Sequence, residues 1–539
     1  MKKIISFCLV VVLLLGGIAP TAIGASNEAP WEVAMHQSLN WIEQSLAEGP
    51  RVGSVGGEWA ILALARAGRI CQGSPWLDPW FADLDRLLVE VDGLVAAGHS
   101  ILHPPSTGTF PAELRRQTDF QRVTIALSAL GADATNVNGR DLTQVYRTFT
   151  PRGQRHALNQ TINADSYALI ALNTGGYGGD TTQFLQAILE TQRADGSFGL
   201  IPQQASSAFD VDMTAMVVQA LAPYYRAGNA PAVLAVGRAL GWLRTQTFID
   251  PESTAQMIVA LTELGSTYRQ EAGTYVAHLL AWHEPETGAF RRPYPTSPRN
   301  QMATEQAAYA LVAYWRMVNH MTSLYDMRDV VGRGQTGSRH PDVGPVPITH
   351  PGRTFPDIQG TPHQTAIETL AARGIILGRG DNSFAPNDTM TRAEFAAIIT
   401  RALSLPNRTA NISFLDVPAN VWYTRVVETA FYYGIVNGTS ATSFSPYGTI
   451  TRQEAALMVA RAARLAGINT DMNHAQVEHM LGQFEDGHTV ATWTRGELAF
   501  LLCTGILRAN GNTISPQAQI QRGEIAQMLF HLLGQANLL

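Results

Sequence analysis

The sequence has 539 residues, of which 45% are hydrophobic and only 15% are charged, and its formal net charge at pH 7 is −6. This composition excludes an intrinsically disordered chain and supplies enough apolar side chains for packed cores in roughly three or four domain-sized units. The acidic balance argues against a nucleic-acid-binding protein, which would carry a basic stripe. It also leaves no polybasic segment to hold an anionic membrane surface.

The first 25 residues have the pattern of a targeting segment. They begin with the basic "MKK", continue with the apolar "IISFCLVVVLLLGGIA" and end with the small-residue stretch "TAIGA". This pattern predicts a secretory signal peptide over residues 1–25, cleaved near Ala25, with a retained membrane anchor as the alternative. No later run reaches the ~18 apolar residues that a spanning helix requires. We therefore expect a secreted protein without a membrane segment after cleavage.

The chain contains only three cysteines. Cys8 leaves with the signal peptide, and Cys71 and Cys503 lie far apart in the sequence. An exported protein with so few thiols is not built on a disulfide framework, and we do not expect these two cysteines to pair. A zinc site made of cysteines is excluded by their number, and we expect neither a metal nor a cofactor.

Residues 30–325 repeat an Ala-Leu pair on apolar segments with helical spacing. The alanines of these pairs are Ala63, Ala126, Ala171, Ala220, Ala260 and Ala310. A Gly-x-aromatic triplet precedes four of the segments, at Gly57–Trp59, Gly108–Phe110, Gly196–Phe198 and Gly288–Phe290. Six helical hairpins that each bury one face on the next can close into a ring. The pattern therefore predicts an all-α domain, an α6/α6 toroid with one helix of each pair inside.

Two segments carry a resemblance to a known group of toroids. "QRADGSFG" (192–199) resembles the Q-x-x-x-G-x-W repeat of squalene cyclases and protein prenyltransferase β-subunits, and "EPETGAF" (284–290) is a degenerate copy. "FDVDMTA" (209–215) is similar to the D-x-D-D-T-A motif of squalene cyclases, with Met213 in place of the third carboxylate. The resemblance implies the toroid fold and makes Asp210 and Asp212 the candidates for catalysis, Asp212 in the position of the acid that protonates an alkene.

The loss of one carboxylate weakens the case for a cyclase, because protonating an alkene requires an unusually strong acid. The alternative is structural, since Asp210 and Asp212 in the first turn of an inner helix would favour its dipole. Other acidic residues near the starts of presumed inner helices are expected to line a cavity: Glu58, Asp119, Asp165, Glu252 and Glu305. A further alternative is a toroid that degrades polysaccharides with a pair of carboxylates.

Residues 326–353 separate the two halves of the chain. They include "VVGRGQTGSRHPDVGPVPITHPGR" (330–353), which is rich in glycine and proline and has no apolar period. This composition predicts a semi-extended linker.

The C-terminal part contains three repeats, which we place at residues 354–404, 413–465 and 483–535. The units begin with "FPDIQ", "FLDVP" and "FEDGH", respectively, and each continues with a Gly-Ile pair. A loop with "FAP", "FSP" or "ISP" follows, and then the motif "MTRAE", "ITRQE" or "IQRGE". Within each unit the order is helix, Gly-terminated turn, Pro-containing loop and second helix. The extra length of the third unit falls in "INTDMNHAQVEHM" (468–480), before its opening motif.

These units resemble S-layer homology repeats over residues 354–535. The combination of F-x-D, W, G-I-x-x-G, F-x-P and T-R-x-E in triplicate is specific to that family. The resemblance implies a three-fold pseudo-symmetric helical prism. It also implies attachment of an exported protein to the cell wall through binding of the secondary wall polysaccharide, often by its pyruvylated amino sugars.

The arginines Arg392, Arg452 and Arg522 stand at the start of the second helix of each unit. A capping box explains the neighbouring threonine and glutamate, but a cation in the first turn opposes the helix dipole by roughly 0.3–1 kcal/mol. Free N–H groups and a guanidinium at a helix start together form an anion site. The resemblance implies that this arginine contacts the acidic ligand. The alternative is an ion pair with an aspartate of the unit: Asp357, Asp416 or Asp486.

The same aspartates complete the predicted polysaccharide site together with Trp422, Trp493, Gly378 and Gly438. The tryptophans would offer a face to a sugar ring, or, in the alternative, pack in the core of the prism. Pro362 replaces tryptophan in the first unit and Ala509 replaces glycine in the third. Because of these departures, we rank the groove of Arg452 as the best candidate binding site. The groove of Arg392 comes next, and that of Arg522 comes last.

The sequence therefore predicts a secreted protein of the cell wall and S-layer surface. Its prism would bind a peptidoglycan-linked, acidic polysaccharide, and its toroid would present a cavity to a ligand that the sequence does not identify. The alternative is a secreted enzyme whose toroid acts as a terpene-cyclase-like or polysaccharide-degrading catalyst.

Overall fold

The computed structural model describes residues 28–99, 111–154, 161–201, 210–293, 300–332 and 339–539. The predicted signal peptide (1–25) and the triplet Gly108–Phe110 lie outside these ranges. Over the described residues the protein is all-α, as the repeats predict, and β-structure there is limited to isolated bridges. Within the same ranges, none of the helices combines the length and apolar character needed to cross a membrane.

Within the described residues, the N-terminal part forms eleven α-helices. They are α1 (Pro30–Ser45), α2 (Trp59–Arg66), α3 (Asp78–Ala96), α4 (Gln117–Leu130), α5 (Ile162–Gly175), α6 (Thr181–Leu189), α7 (Asp210–Arg226), α8 (Ala230–Leu243), α9 (Pro251–Leu264), α10 (Arg269–Leu279) and α11 (Gln301–Val318). Helices α2, α4, α5, α7, α9 and α11 each pack on the next, and α11 packs back on α2. This closed ring of six inner helices confirms the predicted toroid.

The outer layer of helices is less regular than the one that six equal helical hairpins would form. Helices α6, α8 and α10 pack on the inner helices that precede them, whereas α1 packs on α11 and so closes the ring with the two ends of the domain. After α4, the described residues contain no outer α-helix, and the short 3₁₀ turn Leu142–Val145 packs on α4 instead. The six Ala-Leu pairs lie on the inner helices and are almost completely buried, because these helices have neighbours on every side.

The glycine of the Q-x-x-x-G-x-F motif permits close contact between outer segments. Gly196 has φ +97°, and a Cβ atom there would lie 2.5 Å from the carbonyl oxygen of Arg238 on α8. The Gln192 amide donates to the Gly196 and Ala235 carbonyls at 3.0 and 2.8 Å, and the Phe198 N–H donates to the Thr214 hydroxyl at 3.0 Å. The motif therefore ties an outer loop to the start of the inner helix that follows.

Over the described residues 339–539, the C-terminal part forms seven α-helices around a separate hydrophobic core. They are α12 (Gln364–Ala372), α13 (Arg392–Ala402), α14 (Thr424–Tyr432), α15 (Arg452–Leu465), α16 (His474–Gly482), α17 (Arg495–Cys503) and α18 (Arg522–Gln535). The second helix of each unit packs on the first helix of the next: α13 on α14, α15 on α17, and α18 back on α12. The extra length of the third unit forms α16, which packs on α17. The three units thus close into a cyclic prism.

The segment between the two parts is extended but docked at both ends. Asp329 forms ion pairs with Arg66 and Arg316 at the base of the toroid, and Met327 is buried there. On the prism side, the Gly344 N–H donates to the Leu403 carbonyl at 3.2 Å. Within the described residues, this connection therefore follows the surfaces of both parts.

The toroid and the prism are joined by a disulfide bond between Cys71 and Cys503, whose Cα atoms are 5.3 Å apart. The expectation that these cysteines stay unpaired is therefore wrong. The Gly73 N–H donates to the Cys503 carbonyl at 2.8 Å, and a Cβ atom on Gly73 would lie 1.6 Å from the Leu502 carbonyl oxygen. The pairing depends on how one domain docks on the other, which a separation of 432 residues does not reveal.

Candidate functional site

The predicted capping boxes are present at the starts of α13 and α15. The Thr391 hydroxyl accepts the Glu394 N–H at 3.3 Å, and the Glu394 carboxylate accepts the Thr391 N–H at 2.9 Å. Thr451 and Glu454 form the same pair of bonds. At α18 the Glu524 carboxylate accepts the Gln521 N–H at 3.1 Å. Threonine and glutamate in T-R-x-E therefore have the local role that their spacing predicts.

The arginines of the same motif reach into the neighbouring unit. Arg392 donates through Nε to the Phe444 carbonyl at 2.8 Å and through Nη2 to the Asn437 carbonyl at 2.9 Å. Arg452 donates in the same way to the Ile514 and Arg508 carbonyls, both at 2.8 Å. Each arginine thus binds two backbone oxygens across a unit boundary.

The third arginine completes the cycle. Arg522 donates to the Phe384 carbonyl at 2.9 Å and to the Leu377 carbonyl at 3.1 Å, both in the first unit. Its guanidinium lies 4.7 Å from the centre of the Phe384 ring, as that of Arg392 lies 5.0 Å from the Phe444 ring. The three arginines therefore join the units into a ring.

All three arginine side chains are buried, and Arg452 is only 1% exposed. Burial lowers the pKa of Arg392, Arg452 and Arg522 from the ordinary arginine value. Arg452 has the most complete set of partners, because its Nη1 also forms an ion pair with the Glu524 carboxylate. Two carbonyls and a carboxylate therefore occupy the Arg452 guanidinium.

The aspartates of the F-x-D motif bind the loop that the arginines hold from the other side. Asp357 accepts the N–H groups of Phe384 and Ala385, and Asp486 accepts those of Ile514 and Ser515, at 2.7–3.1 Å. The loop residues Ala385 and Ser515 have positive φ, so these bonds hold a strained turn.

Asp416 has the same role in the second unit. It accepts the N–H groups of Phe444 and Ser445 and the hydroxyl of Ser443 at 2.6–2.8 Å. Burial favours the neutral acid, but these bonds hold the pKa of Asp416 below its ordinary value. Among the described residues, none of the three F-x-D aspartates forms a salt bridge with an arginine of the motif, so the predicted ion-pair alternative is wrong.

The N–H groups at the helix starts are occupied as well. The Arg392 and Ala393 N–H groups donate to the Gly448 and Pro446 carbonyls of the next unit at 2.9 and 3.0 Å. Arg452 and Arg522 make the equivalent bonds. The expectation of free N–H groups at these helix starts is therefore wrong, since closure of the prism brings neighbouring carbonyls against them.

The two tryptophans of the predicted site lie on the surface. Trp422 is 59% exposed and Trp493 is 54% exposed. Trp422 packs edge-on against Tyr423, with ring centroids 5.4 Å apart. The alternative in which these tryptophans fill the prism core is wrong, and their faces are accessible to a ligand.

Gly378 and Gly438 are required by close packing inside their units. A Cβ atom on Gly378 would lie 2.4 Å from the Phe355 ring, and one on Gly438 would lie 2.5 Å from the Phe414 ring. Both phenylalanines open the F-x-D motifs. These glycines therefore shape the turn whose carbonyls the arginines bind.

A groove of about 430 Å³ opens beside Arg452, between the second, third and first units. Residues that line it include Pro362, His363, Arg508, Asn510, Gln521, Glu524 and Gln527. Arg508 forms no salt bridge with any described residue, so it brings an unpaired cation to the groove. Sequence reasoning missed Arg508, because the first two units have Leu377 and Asn437 at this position and the repeat provides no signal.

The acidic residues of the toroid collect at the N-terminal ends of the inner helices. Several are paired with arginine: Asp119 with Arg122 at 2.6 Å, Asp165 with Arg152 at 2.6 Å, Asp210 with Arg193 at 2.5 Å and Glu252 with Arg292 at 2.5 Å. Glu58 is buried, which raises its pKa, and its carboxylate accepts the Gly53 N–H at 3.0 Å. These carboxylates therefore lie at the starts of the inner helices, where the sequence places them, and that they line a cavity stays a prediction.

Asp212 and Glu305 differ from the others in having no arginine partner among the described residues. Burial raises the pKa of Asp212 to about 6 and that of Glu305 to about 8. Glu305 accepts bonds from the Gly56 N–H at 2.9 Å and the Gln301 amide at 2.6 Å. The centre of the Trp59 ring lies 5.8 Å from that of the Tyr309 ring. Met213, at the third position of the D-x-D-D motif, is buried.

Comparison with known proteins bears on the C-terminal half first. The S-layer homology domain matches residues 354–396 and 413–456. The chain is 34% identical over 165 residues to the Surface-layer 125 kDa protein of Lysinibacillus sphaericus, covering 30% of this chain and 13% of that protein. It is 28% identical over 186 residues to S-layer protein EA1 of Bacillus anthracis, covering 34% and 20%.

Enzymes also occur among the relatives. The chain is 31% identical over 182 residues to the Amylopullulanase of Thermoanaerobacterium thermosulfurigenes, covering 34% of this chain and 10% of that enzyme. Among solved structures, the unsaturated glucuronyl hydrolase from Bacillus sp. GL1 is 13% identical, covers 55% of this chain and 99% of that structure, and has a TM-score of 0.34.

The chain spans only 10–20% of the length of these sequence relatives. It carries an S-layer homology domain. That domain and the S-layer relatives place it among secreted proteins of the cell surface that are attached to the cell wall.

Proposed function

We propose that the prism attaches the protein to the wall by binding an acidic, peptidoglycan-linked secondary polysaccharide, with a pyruvylated sugar as the recognised group. In this proposal the third unit is also an S-layer homology repeat, and the toroid, linker and repeats have the limits predicted from the sequence. The groove beside Arg452 is the observation that supports it most directly. A ligand carboxylate entering there would meet the unpaired Arg508 cation, which favours an anionic sugar substituent.

The arginines of T-R-x-E then contribute in two ways. Their carbonyl bonds hold the units that form the grooves, and Arg452 places a guanidinium, paired with Glu524, at the wall of its groove. A ligand carboxylate would compete with Glu524 for Nη1 of Arg452. We propose that Arg392 and Arg522 act similarly at the other two boundaries, with the F-x-D aspartates and Gly378 and Gly438 maintaining the loops.

Sedimentation of the full chain with purified wall sacculi tests this proposal. The protein should sediment with intact sacculi and stay in solution after the secondary polymer is removed chemically. Mild acid that hydrolyses only the pyruvate ketals should also release it. Arg508→Ala should weaken sedimentation, whereas Arg425→Ala, an exposed arginine outside the groove, should not. Equal sedimentation with ketal-free sacculi would refute recognition of the pyruvyl group.

We further propose that the toroid presents a ligand cavity, and among catalytic alternatives the carboxylates favour polysaccharide hydrolysis over alkene protonation. A cyclase needs an unusually strong acid, whereas the raised pKa of Asp212 makes it a weaker acid than an ordinary aspartate. A raised pKa suits a general acid in glycoside hydrolysis, as Glu305 would offer. Glu305→Gln and Asp212→Asn should each abolish release of reducing ends from a wall polysaccharide. If both variants release reducing ends as the unmodified protein does, or if the unmodified protein releases none, the hydrolase proposal is refuted. Ligand binding is then the role proposed for the toroid.

A further inference from the structure

A large cleft lies between the two domains of the described structure. It has a volume of about 1390 Å³. One wall includes the C-terminal ends of inner helices, with Thr174 and Glu263, and the other includes the end of α18, with Phe530 and Gln535. The cleft therefore lies at the opposite end of the toroid from the carboxylates at the helix starts, and it needs both domains to exist.

The two walls are held at a set separation. The Cys71–Cys503 disulfide and the Gly73 N–H bond to the Cys503 carbonyl fasten the domains on one side. The Gly332 N–H donates to the Asn469 carbonyl at 3.2 Å and adds a second attachment. Pre-organised walls reduce the entropic cost of binding a ligand between them.

The charged groups that line the cleft balance one another. Arg226 pairs with Glu263 at 3.5 Å, and Arg328 pairs with Asp326 at 2.5 Å. The remaining charged side chains of the lining are those of Asp133 and Arg508, so the formal charges of the lining side chains sum to zero. Burial and the nearby arginine lower the pKa of the His531 imidazole to about 4, so it adds no charge at neutral pH.

Neutral hydrogen-bonding groups dominate the rest of the lining. Seven asparagine or glutamine side chains border the cleft, together with threonine and tyrosine hydroxyls. Thr174 is 7% exposed, and its hydroxyl makes no hydrogen bond with the described residues. The Gln535 Oε1 is unpartnered there too, although its Nε2 donates to the Thr504 carbonyl at 2.7 Å. Buried polar atoms are normally paired, so these groups point to a ligand rich in hydroxyl or amide groups.

We propose that this interdomain cleft binds a neutral oligosaccharide. Amide and hydroxyl side chains suit the hydroxyls of a sugar, and the half-buried Phe530 offers an apolar ring to a sugar face. The cavity exceeds the roughly 300–1,000 Å³ typical of small-molecule pockets, which suits several linked sugars. This site adjoins the groove proposed for the acidic wall polymer, with Arg508 lining both, and it would let the protein hold a second glycan while attached.

Isothermal titration of the full chain with two uncharged probes tests the proposal. The probes are the tetramer of N-acetylglucosamine, which offers acetamido groups, and maltotetraose, which offers hydroxyls alone. Binding of either probe supports the proposal, and the preferred one identifies the sugar class. The weakest specific sites have dissociation constants on the order of 1 mM. If neither probe binds at a concentration of about 10 mM, the proposal is overturned. Tetragalacturonate binding that is tighter than that of both neutral probes and is weakened by Thr174→Val would overturn the assignment of a neutral ligand.

Two variants locate the binding site. Thr174→Val removes only a hydroxyl and should weaken binding about three- to tenfold, the range for one neutral hydrogen bond. Phe530→Ala, on the prism wall, should weaken it at least as much. Thr274→Val on the exposed face of α10 is the matched control and should leave affinity unchanged. Thermal unfolding checks that each variant is folded. Unchanged affinity in both cleft variants would place the sugar elsewhere and refute the proposal.

Discussion

Arg452 at the start of α15 donates a hydrogen bond from Nε to the Ile514 carbonyl of the next unit at 2.8 Å. The opposite side of this peptide segment is bound as well, because Asp486 accepts the Ile514 N–H at 2.8 Å. Two motifs that are distant in sequence, F-x-D and T-R-x-E, therefore hold one loop between them. The same relationship recurs at the other two boundaries. The recurrence of both motifs in all three units therefore has a structural cause.

Removing one of these arginines should destabilise the prism. Arg392→Ala leaves the Phe444 and Asn437 carbonyls without their donor, and hydrogen bonds to a charged group are worth about 1.5–3 kcal/mol each. We expect a loss of about 3 kcal/mol in the free energy of unfolding, measured as a lower transition temperature by differential scanning calorimetry. Arg425→Ala is the control and should cost less than about 1 kcal/mol, since it removes an exposed pair. Equal, small effects of both variants would contradict this role.

The mature chain should contain no free thiol. Cys71 and Cys503 are joined in the structure, and Cys8 lies in the predicted signal peptide. Alkylation of the denatured protein should therefore label no cysteine before reduction and two after it, as measured by mass spectrometry. Cys503→Ser should lower the unfolding temperature, because the crosslink restricts the unfolded chain, typically by about 2–4 kcal/mol. Labelling of Cys71 without reduction would show that the bond does not form.

The exposed tryptophans should matter for wall binding and not for folding. Trp422→Ala removes a ring that is 59% exposed, so the unfolding temperature should hardly change. Loss of a stacking surface should reduce sedimentation with sacculi by several-fold, and Trp493→Ala should act in the same direction. Leu415→Ala, at a position that is 85% exposed, serves as the control for loss of surface apolar area. If Trp422→Ala and Leu415→Ala sediment alike, the ring does not contact the polymer.

The buried Glu305 carboxyl should make stability depend on pH. Its pKa is about 8 in the folded protein, above the ordinary value of 4.5, so the folded state binds the proton more tightly than the unfolded state does. The free energy of unfolding should therefore fall as the pH rises from 4.5 to 8, and this loss is absent at lower pH. Glu305→Gln stays neutral and should gain about 1–4 kcal/mol relative to the unmodified protein over that window.

Chemical denaturation at pH 5 and pH 8 measures this difference. Glu190→Gln, at an exposed site on the toroid, is the control. It should change the free energy of unfolding by the same amount at pH 5 and at pH 8. A Glu305→Gln variant whose relative stability does not change between the two pH values would show that the carboxyl is ionised throughout.

Local patterns in the sequence determined much of this protein. The Ala-Leu pairs predicted the six inner helices, and the repeated motifs predicted three two-helix units with capping boxes at Thr391 and Thr451. Helical periodicity and capping involve residues a few positions apart, so a single stretch of sequence contains all the information. The sequence likewise placed acidic residues at the helix starts, where the structure has them.

Only the tertiary structure decided the partners of those residues. Closure of the prism, and not the local sequence, directs Arg392, Arg452 and Arg522 to carbonyls instead of free space or the F-x-D aspartates. Docking of the domains brings Cys71 to Cys503 and forms the cleft beside Thr174. The physical reason is the same in each case. These contacts join residues far apart in the chain, and their geometry exists only once rings of helices have closed and packed on each other.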